Sequence, residues 1–203
     1  MKHFKKMTLA KVLTFCAFAL FSSVVLAQDN FKGNDDGPKR MELKANAFNL
    51  IIYKTVDISF EYLIDSESSV GVSALFNLNN TKDVDYDEPN YNERFALTPY
   101  YRRYFSSKYA WGFFLEAFGM YNIQEDGYWQ YSYDTVNEIQ NEKYIEETSS
   151  NVAFGMSVGA KFVSSKGFLF EFYGGVGRNI IASNDDVATE LVPRLGVTFG
   201  YRF

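Results

Sequence analysis

Hydrophobic and polar positions alternate along most of this chain. From Leu191 to Phe203, one parity holds Leu191, Pro193, Leu195, Val197, Phe199, Tyr201 and Phe203; the other holds Val192, Arg194, Gly196, Thr198, Gly200 and Arg202. Successive side chains of a strand point to opposite faces, so this period of two predicts a strand with an aromatic-aliphatic face and a small or cationic one. The same pattern predicts strands over about Met41–Ile51, Thr55–Ile64, Ser69–Asn79, Glu93–Phe105, Tyr109–Ile123, Ser150–Val163, Phe168–Ile180 and Glu190–Phe203. The first is the weakest, because its phase slips near Phe48–Leu50. In the second, Val56, Ile58, Phe60 and Tyr62 oppose Asp57, Ser59 and Glu61. In the sixth and seventh, Phe154, Met156, Val158, Phe170 and Phe172 oppose Gly155, Ser157, Gly159, Glu171 and Tyr173.

The connections alternate as well. Asp65–Ser68, Ser106–Lys108 and Ser164–Gly167 are short, whereas Asn80–Asn92, Gln124–Ser149 and Ala182–Thr189 are longer. Apolar-out, polar-in strands joined by alternating short turns and long loops are the pattern of a bacterial outer-membrane barrel. The predicted fold is all-β: an eight-stranded antiparallel up-and-down transmembrane β-barrel spanning residues 41–203. Tyr109, Trp111, Phe168, Tyr201 and Phe203, beside the short turns or the chain end, are expected to form an aromatic girdle at the periplasmic rim.

The N-terminus changes the picture of where the chain goes. Lys2, Lys5, Lys6 and Lys11 precede an apolar run from Val12 to Leu26, and Ala27 offers a small residue for cleavage. This is the pattern of a secretory signal peptide over residues 1–27. Residues 28–40 read as a short polar periplasmic lead. Cleavage after Ala27 leaves 176 of the 203 residues and moves the formal charge from −5 to about −9, because the four signal lysines go. Such a chain has no cysteine and no histidine, since Cys16 and His3 both lie in the leader. Disulfides and thiol chemistry are excluded. An acidic chain is also a poor nucleic-acid binder, because phosphate neutralisation needs clustered Lys and Arg. Aromatic residues make up 18% of the chain, nearly all Phe and Tyr, which is strand composition.

Five segments carry a resemblance: Lys-Ala-Asn-Ala-Phe-Asn-Leu at 44–50, Ile-Ser-Phe-Glu-Tyr-Leu-Ile at 58–64, Ser-Ser-Val-Gly-Val-Ser-Ala at 68–74, Tyr-Tyr-Arg-Arg-Tyr-Phe at 100–105 and Gly-Tyr-Arg-Phe at 200–203. With them the chain resembles the small eight-stranded outer-membrane barrels of the OmpA and OmpX type, a porin-like fold, and within these an uncharacterised family. The resemblance implies residence in the cell outer membrane of a Gram-negative bacterium. It implies contact with the lipid bilayer and lipopolysaccharide, and handling by the barrel assembly machinery. Tyr201 and Phe203 resemble its C-terminal assembly signal. No catalytic motif and no cofactor come with it, and the peptidoglycan-binding domain of OmpA has no counterpart here.

The inward parity holds Glu61, Arg102, Glu116, Lys161, Glu171, Arg194 and Arg202. An eight-stranded barrel is only wide enough for its own side chains, and buried charges must pair. These seven form either a lumenal charge network that plugs the barrel, or the lining of a proton or ion path, or a site with a lumenal catalytic carboxylate pair. Outside the strands, Asp83, Asp85 and Asp87 lie in an acidic loop that is either a solvated charge run or a shared divalent-cation site. Tyr128, Trp129, Tyr131 and Tyr133 alternate, so they prolong the fifth strand, either as anchors for an extracellular protein or glycan partner or as a plain hairpin.

Three function classes remain. The first is a non-catalytic structural or surface-interaction barrel acting through its extracellular loops. A narrow channel for small solutes or ions is the alternative reading of the same fold. An outer-membrane enzyme of the lipid-modifying or protease kind generally depends on a histidine acting as base or acid, which residues 28–203 lack, and a carboxylate-only hydrolase has no positive support in the chain. A lipocalin-like binder would need Trp111, Phe154, Phe170 and Phe199 inside. The expectation is therefore no enzyme, no cofactor and no metal.

Overall fold

The structure, a computed structural model, describes residues 39–78, 93–134, 139–184 and 186–203. Eight strands, β1 (Met41–Asn46), β2 (Thr55–Leu63), β3 (Ser68–Asn77), β4 (Glu93–Tyr104), β5 (Gly112–Asp134), β6 (Ile139–Val163), β7 (Phe168–Ala182) and β8 (Leu191–Arg202), close into one antiparallel up-and-down barrel. Closure is made by β1 against β8, where Met41 and Phe203 exchange backbone hydrogen bonds of 3.1 and 2.9 Å. The signal-peptide and most of the lead expectations (residues 1–38) lie outside the described residues. No helix among the described residues is long and apolar enough to cross a membrane, which says nothing of a barrel that would cross with strands.

The barrel has a turn end, with the start of β1, the end of β8 and the connections at 64–67, 105–111 and 164–167, and a loop end opposite. The turns are built locally. At 64–67, Asp65 accepts hydrogen bonds from the Glu67 amide and the Ser68 hydroxyl, both at 2.7 Å, and the Ser68 bond holds its carboxyl below the usual range. Gly167 turns at φ 94°, the left-handed region that side chains disfavour.

The first strand is shorter than its expected range. It stops at Asn46, and residues 47–51, expected to continue it, belong instead to a helix α1 (Ala47–Tyr53). The phase slip near Phe48–Leu50 is this change of period. Asn46 caps the helix by accepting from the Asn49 amide at 3.3 Å, and Lys54 ends it in the left-handed conformation. The fifth strand also begins later than expected. Gly112, at φ 82°, starts it, and Tyr109 packs against the interior cluster of Leu63, Tyr104, Ala110, Phe114 and Tyr173 rather than joining an outer girdle. At the loop end β5 and β6 stay paired far beyond their neighbours, from Gln124 opposite Ser149 to Asp134 opposite Ile139. Most of the expected loop Gln124–Ser149 is thus a two-stranded ribbon, roughly 30 Å long at a strand's rise per residue.

Candidate functional site: the lumen

The two faces of the wall differ in kind. Leu43, Ile58, Val72, Phe113, Phe154, Met156, Val158, Leu195 and Phe199 point out and are exposed. Trp111, Phe162, Phe170 and Phe172 also point out and make ring contacts with one another and, from Phe170, with Phe199, while Lys108 lies over Trp111. The other parity fills the lumen in three layers.

The layer nearest the turn end is ionic. Glu61, fully buried on β2, accepts from Lys44 Nζ at 2.5 Å, Lys161 Nζ at 2.7 Å and Arg102 Nη1 at 2.9 Å. The hydroxyls of Ser69, Tyr104 and Tyr100 also donate to it, at 2.6, 2.5 and 3.3 Å. Arg102 bridges three carboxylates, reaching Glu116 at 2.6 Å and Glu171 at 2.7 Å besides Glu61. Arg194 meets Glu116 at 2.7 Å, and Glu42 takes Lys161 and Arg202, each at 2.7 Å. Arg202 also donates to the carbonyls of Tyr109 and Ala110 at 3.1 and 2.8 Å, which draws the 105–111 turn beneath the barrel mouth. Glycines make room for the large partners: a Cβ at Gly71 would strike the Tyr100 ring, and one at Gly196 the Tyr173 ring.

All seven sequence-identified residues, Glu61, Arg102, Glu116, Lys161, Glu171, Arg194 and Arg202, therefore converge in one network. Three members were missed: Glu42 and Lys44 on β1, and Asp57 on β2, which accepts from the amides of Asn46 and Asn49 at 3.0 and 3.1 Å. The signal was present, since Glu42 and Lys44 share the inward parity of a strictly alternating Met41–Asn46. Counting Asp57, which is held by two amides rather than an ion pair, five buried carboxylates (Glu42, Asp57, Glu61, Glu116, Glu171) face five buried cations (Lys44, Arg102, Lys161, Arg194, Arg202) in the lumen. That balance matters, because an unpaired charge in a low-dielectric interior costs several kcal/mol or neutralises itself.

Above it lies an apolar layer of Leu75, Ala96, Tyr100, Phe118, Met120, Ala153 and Val192. At the loop end comes a layer rich in amides, with buried Glu93 opposite Gln124. Asn151 donates to Asn122 and Gln124 at 2.9 and 3.2 Å, and Asn122 donates to Asn179 at 3.0 Å. Gln124 exchanges two bonds of 2.8 Å with Thr189, and Ser149 accepts from the Asn184 amide at 3.1 Å, so the β7–β8 connection is tied across the mouth. Chemically, each carboxylate of the ionic layer is committed through at least one oxygen to cations, amides or hydroxyls, Glu171 through Oε2 alone. No group of three or more acids, histidines or cysteines among the described residues is placed to hold a metal.

The loop candidates are less informative. Asp83, Asp85 and Asp87 lie outside the described residues. Tyr128, Trp129, Tyr131 and Tyr133 fall within β5, on the ribbon, with their side chains outside the described part. Tyr201 points outward and stacks edge-on against Phe168 at 5.4 Å, and Phe203 is exposed at the chain end.

A family model described as a protein of unknown function, DUF3575, matches residues 13–187, and the chain belongs to that family. No curated protein and no solved structure matches it.

Proposed function

Starting from that membership, we propose that this chain is a non-catalytic barrel of the OmpA and OmpX type that spans the bacterial outer membrane, sealed by its lumen, and presents the β5–β6 ribbon outside for surface interaction. One observation carries the reading: the polarity of the wall is inverted. Val158 and Phe113 are 62% and 71% exposed while Glu61 and Lys161 are at 0%. A water-soluble barrel puts its apolar face inside, whereas a continuous outer belt of large apolar side chains needs a hydrocarbon solvent. The outer aromatics at the turn end suit the interfacial girdle of such a barrel, with Tyr201 and Phe203 serving in assembly. Lipid and lipopolysaccharide are the partners of the belt, and an extracellular protein or glycan is the partner of the ribbon. The matched charges of the ionic layer favour a seal over a conducting bore.

The test uses single cysteines in a Cys16→Ser background, Val158→Cys on the belt and Ser157→Cys in the lumen, in the barrel refolded into phosphatidylcholine vesicles. A fluorophore at position 158 should be quenched by brominated lipid tails and ignored by aqueous iodide, while one at 157 should be sheltered from the lipid. Ready quenching at 158 by aqueous iodide in the folded barrel would remove the membrane reading.

A further inference from the structure

The cations on the outside of the barrel are paired differently at its two ends. At the loop end Arg94 is paired with Glu125, and Arg178 with Glu190. At the turn end the exposed cations are Lys39, Arg40, Arg103, Lys108 and Lys166, and the exposed side-chain carboxylates are Asp65 and Glu67. Both carboxylates are already committed. Glu67 takes Arg103, and Asp65 takes the Ser68 hydroxyl and the Glu67 amide. Lys39, Arg40, Lys108 and Lys166 have no carboxylate among the described residues within 4.0 Å.

These four cations meet rings and a hydroxyl instead. Lys108 Nζ lies 4.7 Å from the centroid of Trp111, and Lys39 Nζ lies 5.3 Å from that of Tyr201. The Tyr62 hydroxyl lies beside Arg40. A Cβ at Gly167 would sit 3.2 Å from the Tyr201 ring, so the turn that carries Lys166 passes the same ring as Lys39. An aromatic face attracts an ammonium but leaves its charge and its N–H donors open to an anion. Trp111 and Tyr201 are outward and run into the apolar belt, Trp111 meeting Phe162 at 5.3 Å and Tyr201 meeting Phe168 at 5.4 Å. In a bilayer such rings sit at the edge of the hydrocarbon. The ammonium groups over them then reach the depth of the lipid phosphates, as lysines at an interface do.

We propose that the turn-end rim is a binding surface for anionic phospholipid, held by its phosphate at Lys39, Arg40, Lys108 and Lys166 and selected there over zwitterionic lipid. The proposal rests on the membrane reading above. The placement of the cations favours lipid as the occupant. Lys39 and Arg40 precede β1, Lys108 lies between β4 and β5, and Lys166 lies between β7 and β8, so they are spread around the rim as a ring of headgroups is. Selection follows from charge. A zwitterionic headgroup brings its own ammonium to the phosphate, whereas an anionic one leaves the phosphate to the protein, and each surface cation adds to that attraction.

Trp111 and Trp129 are the only tryptophans of the chain, so Trp129→Phe leaves Trp111 as a reporter beside Lys108. The full chain with this change is refolded into phosphatidylcholine vesicles containing a nitroxide lipid, either phosphatidylglycerol or phosphatidylcholine, labelled high on one tail and present at the same fraction. The phosphatidylglycerol label is expected to quench Trp111 at least about twofold more strongly. Lys108→Gln should remove that excess and leave quenching by the phosphatidylcholine label as it was. With the reporter moved across the rim by Trp111→Phe and Tyr201→Trp, the same preference is expected, now removed by Lys39→Gln with Lys166→Gln. Equal quenching by the two labels, the result for a rim built to meet a periplasmic protein or polymer, would overturn the proposal, and so would a preference that survives the lysine variants. No quenching by either label would overturn the membrane reading instead.

Discussion

Two seams of the barrel hold by different means. β5 pairs with β6 along its whole length, from Gly112 to Asp134, and continues beyond every neighbouring strand. β1 pairs with β8 only from Glu42 to Asn46. The long seam is secured by its ladder. The short seam is secured by side chains: each of the three inward residues of β1 ties it to other strands. Glu42 reaches β6 and β8, Lys44 reaches β2 and β7, and Asn46 reaches β2 and β8. Where backbone pairing is short, lumenal polar contacts take over closure. The ionic layer therefore fills the lumen at that level and also joins the ends of the sheet.

Breaking the centre of that layer should have the largest effect. Arg102→Ala strands Glu61, Glu116 and Glu171 without their shared cation and should destabilise the barrel by about 3–5 kcal/mol, read as a lower urea midpoint in vesicles. A loss below about 1 kcal/mol would mean that water replaces the guanidinium and that the layer is not a seal. Lys44→Ala should cost about 3 kcal/mol and act selectively. Hydrogen exchange at Leu43 and Ala45 should speed up, while the β5–β6 amides stay protected; uniform loss across both seams would erase the distinction between them.

Asn46→Ala removes the helix cap together with the two bonds that Asn46 makes to the β8 edge, to the Leu195 carbonyl and from the Val197 amide, for about 1–2 kcal/mol. The Val197 amide should lose protection first. Removing the ribbon from Tyr128 to Glu146 and closing it with a short turn should change barrel stability by no more than about 0.5 kcal/mol, while abolishing surface binding. Unaltered binding by the trimmed barrel would move the function into the lumen or the bilayer.

How much of this was legible in the sequence depended on range. Strict alternation made the strands, their facing and seven inward charges readable, because strand parity is a local property. The helix was visible only as a slip at Phe48–Leu50, since its seven residues, about two turns, are too few to show a helical period. That slip also obscured Glu42 and Lys44, although their own parity was intact. The amide layer was not readable: Asn122, Gln124, Asn151 and Asn179 are uncharged and lie at the ends of the strands that the alternation predicts, and their partners depend on how the barrel's stagger brings distant strands level. The same stagger decides that Glu61 meets Lys161, a hundred positions away. Tyr109 misled for a different reason. Its alternation with Trp111 suited a strand, but the φ of 39° at Ala110 turns the chain between them.

The central claim is that a charge-matched ionic layer closes the lumen of a membrane-spanning barrel, and single-channel recording of the refolded chain in planar bilayers tests it most directly. The account expects a silent bilayer for the native chain, with conductance steps appearing when Arg102 is replaced by alanine. Stable open steps from the native chain, with cation or anion selectivity unaffected by Arg102→Ala, would contradict it.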